Sequence, residues 1–476
     1  MGQALYLKTK NKVFKNVTPE GFSAVFQKVL EEDKAKLKNP QLIAAFYQQN
    51  DYDPVLLMEH VKGDDLQYFS AYLKKANEHG IDPKLFNADD YSALITKFFQ
   101  KKGVKTLDEA YHNMAEIEIM TANNLVNYSN ALQFGLVDPK KIYERYYTET
   151  LRPDSVLNQN ILQTRNFKTY LDSIQPKNPQ YLALQKALAA NVTAPGMSAE
   201  QTKRIIEVGL ERLRWKNKPK QDKYVMVNIP DFRLDVMEGG KSTMNMKVCV
   251  GQGRNRDYVK NVVSYQDTDK RDKPFSRETP QLTSIIYEAQ VNPVWNIPQS
   301  IVSKEIVKHA QADPNYLDNA HINVYRNGKQ LEDTEEINWA KEDLSNYEFK
   351  QQPGDDNSLG KVKFLFPNKS SVYLHDTPAQ EPFKQNMRAV SHGCVRLERP
   401  LDFAHALFGD GSKYDMIKQY MAEDNPKPTD INLPKKVPVY ITYITCWADD
   451  TGTIQFRKDV YGLDIVLYSH LQKLLA

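Results

Sequence analysis

The stretch Ser391-His392-Gly393-Cys394-Val395-Arg396 sets a thiol among an imidazole, a glycine and a guanidinium, and a second imidazole, His375, ends a strand-like run nineteen positions before the cysteine. A thiol attacks a carbonyl carbon only as thiolate, and near neutral pH that requires an imidazole or another positive group close by. Both partners are present. Gly393 leaves the backbone beside the thiol uncovered, so a carbonyl can approach Cys394 while main-chain N–H groups point at a developing oxyanion. The competing reading is a buried structural cysteine in a glycine-containing turn.

The elements that must position these groups follow from periodicity. Val362, Phe364 and Phe366 alternate on one strand, Pro367-Asn368-Lys369 turns the chain, and Val372 and Leu374 continue the buried face. Tyr373 and His375 therefore share the opposite face, which leads to the cysteine motif. Pro400 opens a helix through Phe403 and Leu407 that braces the motif from behind. Further upstream the alternation of Val225, Val227 and Ile229, then Phe232, Leu234 and Val236, with Gly239-Gly240 as the turn, predicts a meander. Before it, residues 15 to about 215 read as successive helices: Thr18-Pro19 starts one, Thr106 and Glu109 cap another, and Ser198 caps a third that ends near Trp215. His60, His79 and His112 read as surface or helix-flank residues. The fold class is α+β, an all-α domain over 1–197 followed by a mainly β domain over 198–476. Residues 299 to about 355 interrupt the strand pattern and read as a capping or lid insertion.

Composition narrows the function. With 41% hydrophobic and 26% charged residues the chain is that of an ordinary globular protein, and a net charge of +3 over 476 residues gives no footprint for nucleic acid. No run of eighteen apolar residues predicts a membrane span. Three cysteines, an odd number, argue against a disulfide framework, and Cys249 and Cys446 fall on strand-like runs. No C-x-x-C or H-x-x-x-H pattern points to a metal. The start Met1-Gly2-Gln3-Ala4-Leu5 lacks the apolar core of a signal peptide, which leaves either a cytosolic protein or a mature fragment cut downstream of an export signal.

Tyr373-Leu374-His375-Asp376-Thr377-Pro378 followed by Ser391-His392-Gly393-Cys394-Val395-Arg396 resembles the signature of the L,D-transpeptidases with a YkuD-type catalytic domain. The resemblance extends to Asn292-Pro293-Val294-Trp295-Asn296-Ile297-Pro298 and to Val437-Pro438-Val439-Tyr440, and so covers roughly residues 220 to 465. It is greatest to the large multi-domain subgroup of Gram-negative envelopes, because Arg396 stands where many smaller members carry Asn. Ile117 to Ala122, Tyr128 and Phe134 to Pro139 resemble the helical scaffold domain of that subgroup. Residues 189 to 197 are too few for the peptidoglycan-binding module that many members carry there.

The resemblance implies acyl transfer on peptidoglycan without metal or cofactor. Cys394 is then the nucleophile, His375 the base, and Asp376 the residue whose backbone carbonyl orients the imidazole. His392, Gly393 and Cys394 shape the oxyanion pocket, and Asn292, Trp295, Tyr373, Ser391 and Arg396 contact substrate, the alternatives being a core role for Trp295 and a buried structural cation for Arg396. The expected partners are a donor tetrapeptide stem and an acceptor diamino acid joined in a 3→3 cross-link, with covalent inhibition by carbapenems and a periplasmic location. Water as acceptor would make the enzyme an L,D-carboxypeptidase, and a non-catalytic wall-binding protein would keep the fold alone. A papain-like protease is disfavoured, since here His precedes Cys at short spacing.

Overall fold

Apolar residues three and four apart carry the chain through helices from Pro19 to Arg214, and from Lys223 the alternation of Val225 with Val227 takes it into a sheet. The computed structural model describes residues 1–253, 277–423 and 426–475. Helix α1 (Pro19–Asp33) begins as its sequence predicts, with the Thr18 side chain accepting from the Gly21 N–H. Beyond α2 (Val55–His60) comes α3 (Leu107–Phe134), the 28-residue post of the helical half. The Thr106 hydroxyl accepts from the Glu109 N–H, and the Glu109 carboxylate reaches back to the Lys105 N–H at 2.8 Å. Met114, Ile117, Leu125 and Leu132 of α3 are all buried in one core with Phe22, Phe26, Tyr47 and Phe69. His60 and His79 depart from expectation. His60 is buried, stacked on Phe167 and bonded to Asp65 and the Thr164 carbonyl, and His79 is buried against the Tyr181 hydroxyl. Each ring finds polar partners for its nitrogens inside the fold, which spacing along one helix does not reveal.

One buried carboxylate makes the helical half pH-sensitive. Glu118 of α3 accepts from the Leu56 and Leu57 N–H groups at the start of α2, 2.7 Å each, and from the Tyr47 hydroxyl. Burial nevertheless raises its pKa from 4.5 to about 7. A carboxyl whose pKa rises on folding adds stability that is complete below its unfolded value and is lost as pH climbs through the folded one. The stability difference between the parent and Glu118→Gln is therefore expected to change by up to about 3 kcal/mol between pH 5 and pH 8, the parent losing ground as pH rises. Chemical denaturation of both proteins at the two pH values checks this, and an unchanged difference would refute it.

Helices α4 (Pro179–Ala189) and α5 (Ala199–Arg214) pack on each other and on Cys446, with Ser198 and Gln201 forming the capping box of α5. The end of α5 fastens the two halves together. Arg214 pairs with Glu211 at 2.7 Å, both fully buried, and Glu211 also accepts from the Val137 and Trp215 N–H groups. The short strand β1 (Tyr146–Tyr147), from the helical half, pairs in parallel with β5 (Gln281–Val291) of the sheet.

The sheet runs through β2 (Lys223–Asn228), β3 (Arg233–Glu238), β4 (Lys241–Gly251), β5, β10 (Val362–Leu365), β11 (Leu374–His375), β13 (Val395–Leu397) and β14 (Thr429–Thr442). Its order is β5-β10-β11-β13-β4-β3-β2-β14, and β14 pairs with β5 as well as β2, so the sheet closes on itself. A further short strand, β12 (Ala389–Ser391), joins the end of β4. The insertion is more structured than the sequence suggests. Strands β6 (Trp295–Asn296), β7 (Ile322–Arg326), β8 (Lys329–Gln330) and β9 (Tyr347–Gln351) form their own sheet in the order β6-β9-β7-β8. With a helical stretch from Gln299 to Ala312 they enclose a separate core of Ile301, Val302, Ile306, Val324, Trp339 and Phe349. Trp295 thus lies on the first strand of this unit.

Candidate active site

Strands β11 and β13 run parallel, with Leu374 opposite Val395 and His375 opposite Arg396. Leu374 and Val395 are fully buried in the main core, so the alternation of the strands sends Tyr373, His375, Cys394 and Arg396 to the other face. The Val395 N–H donates to the Tyr373 carbonyl at 3.1 Å, which sets Tyr373 beside Cys394. On β10, Lys363 pairs with His375 and holds its ammonium 5.4 Å from the Tyr373 ring centre.

Two hydroxyls fix the turn that carries the thiol. Ser391 Oγ donates to the Cys394 carbonyl at 2.6 Å and accepts from the Gly393 N–H at 3.1 Å, while Thr279 Oγ1 donates to the Gly393 carbonyl at 2.7 Å. Gly393 has φ +124°, a conformation that side chains rarely adopt. The Gly393 N–H is thus bonded inside the turn, and Ser391, 2% exposed, closes that turn. The N–H groups of His392 and Cys394 find no acceptor among the described residues.

Tyr373 stands next to the thiol and lowers its proton affinity, and Trp295 does the same for the Tyr373 hydroxyl. Burial pushes the Cys394 thiol above its usual pKa, with Tyr373, Arg396 and Lys363 pulling against it. Burial, then the nearby Arg396 guanidinium, drives His375 down to about 3. Both shifts favour the uncharged forms, thiol and imidazole. His375 Nδ1 lies 2.5 Å from the Asp376 carbonyl oxygen, which can only accept, so Nδ1 carries the proton and Nε2 keeps its lone pair. The Asp376 carboxylate has a separate task, accepting from the Lys361 N–H at 2.8 Å and the Thr377 N–H at 2.7 Å. It sits where a Cβ on Gly360 would come within 2.4 Å, and Gly360 has φ +62°. Such a set can transfer an acyl group: a nucleophile, a neutral base held in one tautomer, and two amides free to face an oxyanion.

Two family models match the chain: the L,D-transpeptidase catalytic domain, YkuD, over residues 222–409 and a scaffold domain over residues 41–188. Residues 222–409 thus form an L,D-transpeptidase catalytic domain of the YkuD type, preceded by a scaffold domain. A Haemophilus influenzae protein named as an L,D-transpeptidase is 29% identical over 243 residues, which are 50% of this chain and 44% of that protein. The match therefore spans less than half the length of that relative. Among solved structures, an L,D-transpeptidase from Mycobacterium smegmatis has a TM-score of 0.21 at 13% identity, over 46% of this chain and 58% of that one. The Ldtfm-avibactam carbamoyl enzyme has a TM-score of 0.20 at 11% identity, over 47% and 49%.

The remaining residues expected from the family signature divide. Trp295, on β6, is near enough to Tyr373 to lower the proton affinity of its hydroxyl. Arg396 makes no ion pair among the described residues, and its Nε is buried without a partner. Asn292 stands apart from this group. It is 3% exposed, and its side-chain amide donates to the Tyr420 carbonyl at 2.8 Å, tying β5 to the helix Ser412–Met421. One N–H of the Asn292 amide is thus engaged in the interior. His392 turns away from the thiol to Glu305 of the insertion, Nε2 to Oε1 at 2.8 Å. Sequence reasoning missed Glu305, Thr279 and Lys363. Only Lys363 left a signal, since alternation with Val362 and Phe364 puts it on the face of His375 once the hairpin is paired.

Proposed function

We propose that the protein is a peptidoglycan L,D-transpeptidase that works through a Cys394 thioester. The observation that carries this reading is the shared face of Cys394, Tyr373 and His375, with the His375 Nε2 lone pair left available by the Nδ1–H bond to Asp376. His375 takes the thiol proton as sulfur attacks the carbonyl of the third stem residue, a diamino acid. The C–S bond forms, the peptide C–N bond breaks, and the terminal D-Ala leaves as an amine that takes the proton from His375. The side-chain amine of a second stem then attacks the thioester; its C–N bond forms, the C–S bond breaks, and His375 passes the amine proton to the departing sulfur, restoring the thiol and leaving a 3→3 cross-link. The amides of His392 and Cys394 stabilise the oxyanion in both steps. Tyr373 holds the sulfur, Trp295 walls the groove, and the Arg396 guanidinium, whose Nε has no partner among the described residues, supplies a partner for a stem carboxylate.

In this reading residues 1–197 are the scaffold, 198–476 the catalytic part, and 299–355 a cap that keeps water from the thioester. The protein acts on wall in the periplasm, and carbapenems acylate Cys394. Purified disaccharide-tetrapeptide incubated with the protein and followed by mass spectrometry is expected to yield cross-linked dimer. Free tripeptide instead would identify a carboxypeptidase, and no change in the substrate would refute catalysis.

A further inference from the structure

We propose that Glu305 is a positioning residue through which the insertion holds the nucleophile turn in place, a role that rests on the reading of Cys394 given above. Glu305 lies in a five-residue π turn, Val302–Ile306, set between α-helical pieces; such turns are rare and gather at functional sites. Val302, Ile306 and Val307 face the insertion's own core. The Glu305 carboxylate leaves that core, and a single oxygen, Oε1, meets both His392 Nε2 at 2.8 Å and an Arg277 guanidinium nitrogen at 2.6 Å.

Both partners belong to the turn or to what supports it. His392 sits two residues before the nucleophile, and its main-chain N–H is one of the two left to face an oxyanion. Arg277 lies behind Gly393, its carbonyl oxygen 3.7 Å from where a Cβ on that glycine would stand. Two residues on, Thr279 bonds the Gly393 carbonyl. One carboxylate thus joins the insertion to both sides of the turn. The contact is poorly suited to a purely structural role, because the Glu305 side chain is 36% exposed and ion pairs in such settings add little to folding. The insertion has a core of its own. What the contact does supply is the orientation of His392, and through it the direction of the amide that meets developing charge.

A double-mutant cycle on the full chain tests the inference, with acylation by a carbapenem followed by intact-protein mass spectrometry and amide hydrogen exchange followed over residues 391–396. Glu305→Ala is expected to lower the acylation rate constant on the order of tenfold with little change in apparent binding, since small misplacements at a reacting centre are costly. Glu305→Gln keeps an oxygen that accepts from His392 and should recover part of the loss. His392→Ala should cost about as much as Glu305→Ala, and the double variant no more than either, because both remove one contact. Exchange over the turn should quicken in each single variant. Losses that multiply in the double variant, or parental acylation and exchange in Glu305→Ala, would overturn the proposal. A parent that is not acylated at all would refute the reading of Cys394, and the exchange comparison would still decide the role of Glu305.

Discussion

Cys394→Ala is expected to abolish covalent labelling by a carbapenem, while Cys249→Ala and Cys446→Ala are labelled as fully as the parent. The three thiols differ in access and in surroundings. Cys249 and Cys446 are 0% and 2% exposed. Burial pushes Cys249 up to about 11 and Cys446 higher still, and the Cys446 sulfur is occupied with the Ile205 carbonyl. Cys394 is half-buried, carries a glycine at its shoulder, and has Tyr373, Arg396 and Lys363 drawing its proton affinity down against the effect of burial. A reactive thiol needs that combination of reach and electropositive surroundings. Intact-protein mass spectrometry after incubation with the drug reads the result directly, and labelling that survives in Cys394→Ala would sink the assignment of the nucleophile.

Much of this arrangement was legible because it follows from period and spacing. The alternation of Val362, Phe364, Val372 and Leu374 is enough to put Tyr373 and His375 on one face, and the hairpin pairs Lys363 with His375 accordingly. The caps at Thr18, Thr106 and Ser198 each open the helix that their side chains announce. What stayed hidden depends on partners distant in sequence. Asn292 belongs to the family motif, yet its amide is committed to Tyr420, 128 positions away. Ser391 and Gly393 are adjacent to the chemistry in sequence, but nothing in their spacing announces the hydroxyl-to-amide bond that closes the turn on itself. The insertion's sheet pairs β6 with β9 across more than fifty residues of mostly polar chain, and no local alternation marks such a closure. His60, His79 and Glu118 are buried for the same reason: each finds its hydrogen bonds on another element, and a pattern read along one helix shows only that the residue is polar.

The charge states at the site bear on how the thiol is activated, and the second large effect follows from them. Two neighbouring groups can share a proton as thiolate with imidazolium or as thiol with imidazole, and low polarity together with nearby cations favours the neutral imidazole. His375 is fully enclosed, faces the Arg396 guanidinium, and is held down to about 3; the Cys394 thiol is pushed up. A neutral pair at rest is therefore the expected state, with the proton passing from sulfur to Nε2 only as the carbonyl is attacked. Because His375 picks up a proton only as pH falls through about 3, the acylation rate of the parent is expected to stay nearly flat from about pH 5 to pH 8, with no acid limb in the usual histidine range near 6.5. His375→Ala removes the base and should slow acylation by roughly 10²–10⁴-fold at neutral pH. The residual rate should then climb about tenfold per pH unit, since reaction now waits for the small fraction of thiol that ionises without help. Rate constants for carbapenem acylation of the parent and His375→Ala between pH 4 and pH 9 provide the measurement. A parental rate that falls away below pH 7 would mean that a charged pair exists at rest, and near-parental rates in His375→Ala would transfer the role of base to another group on that face.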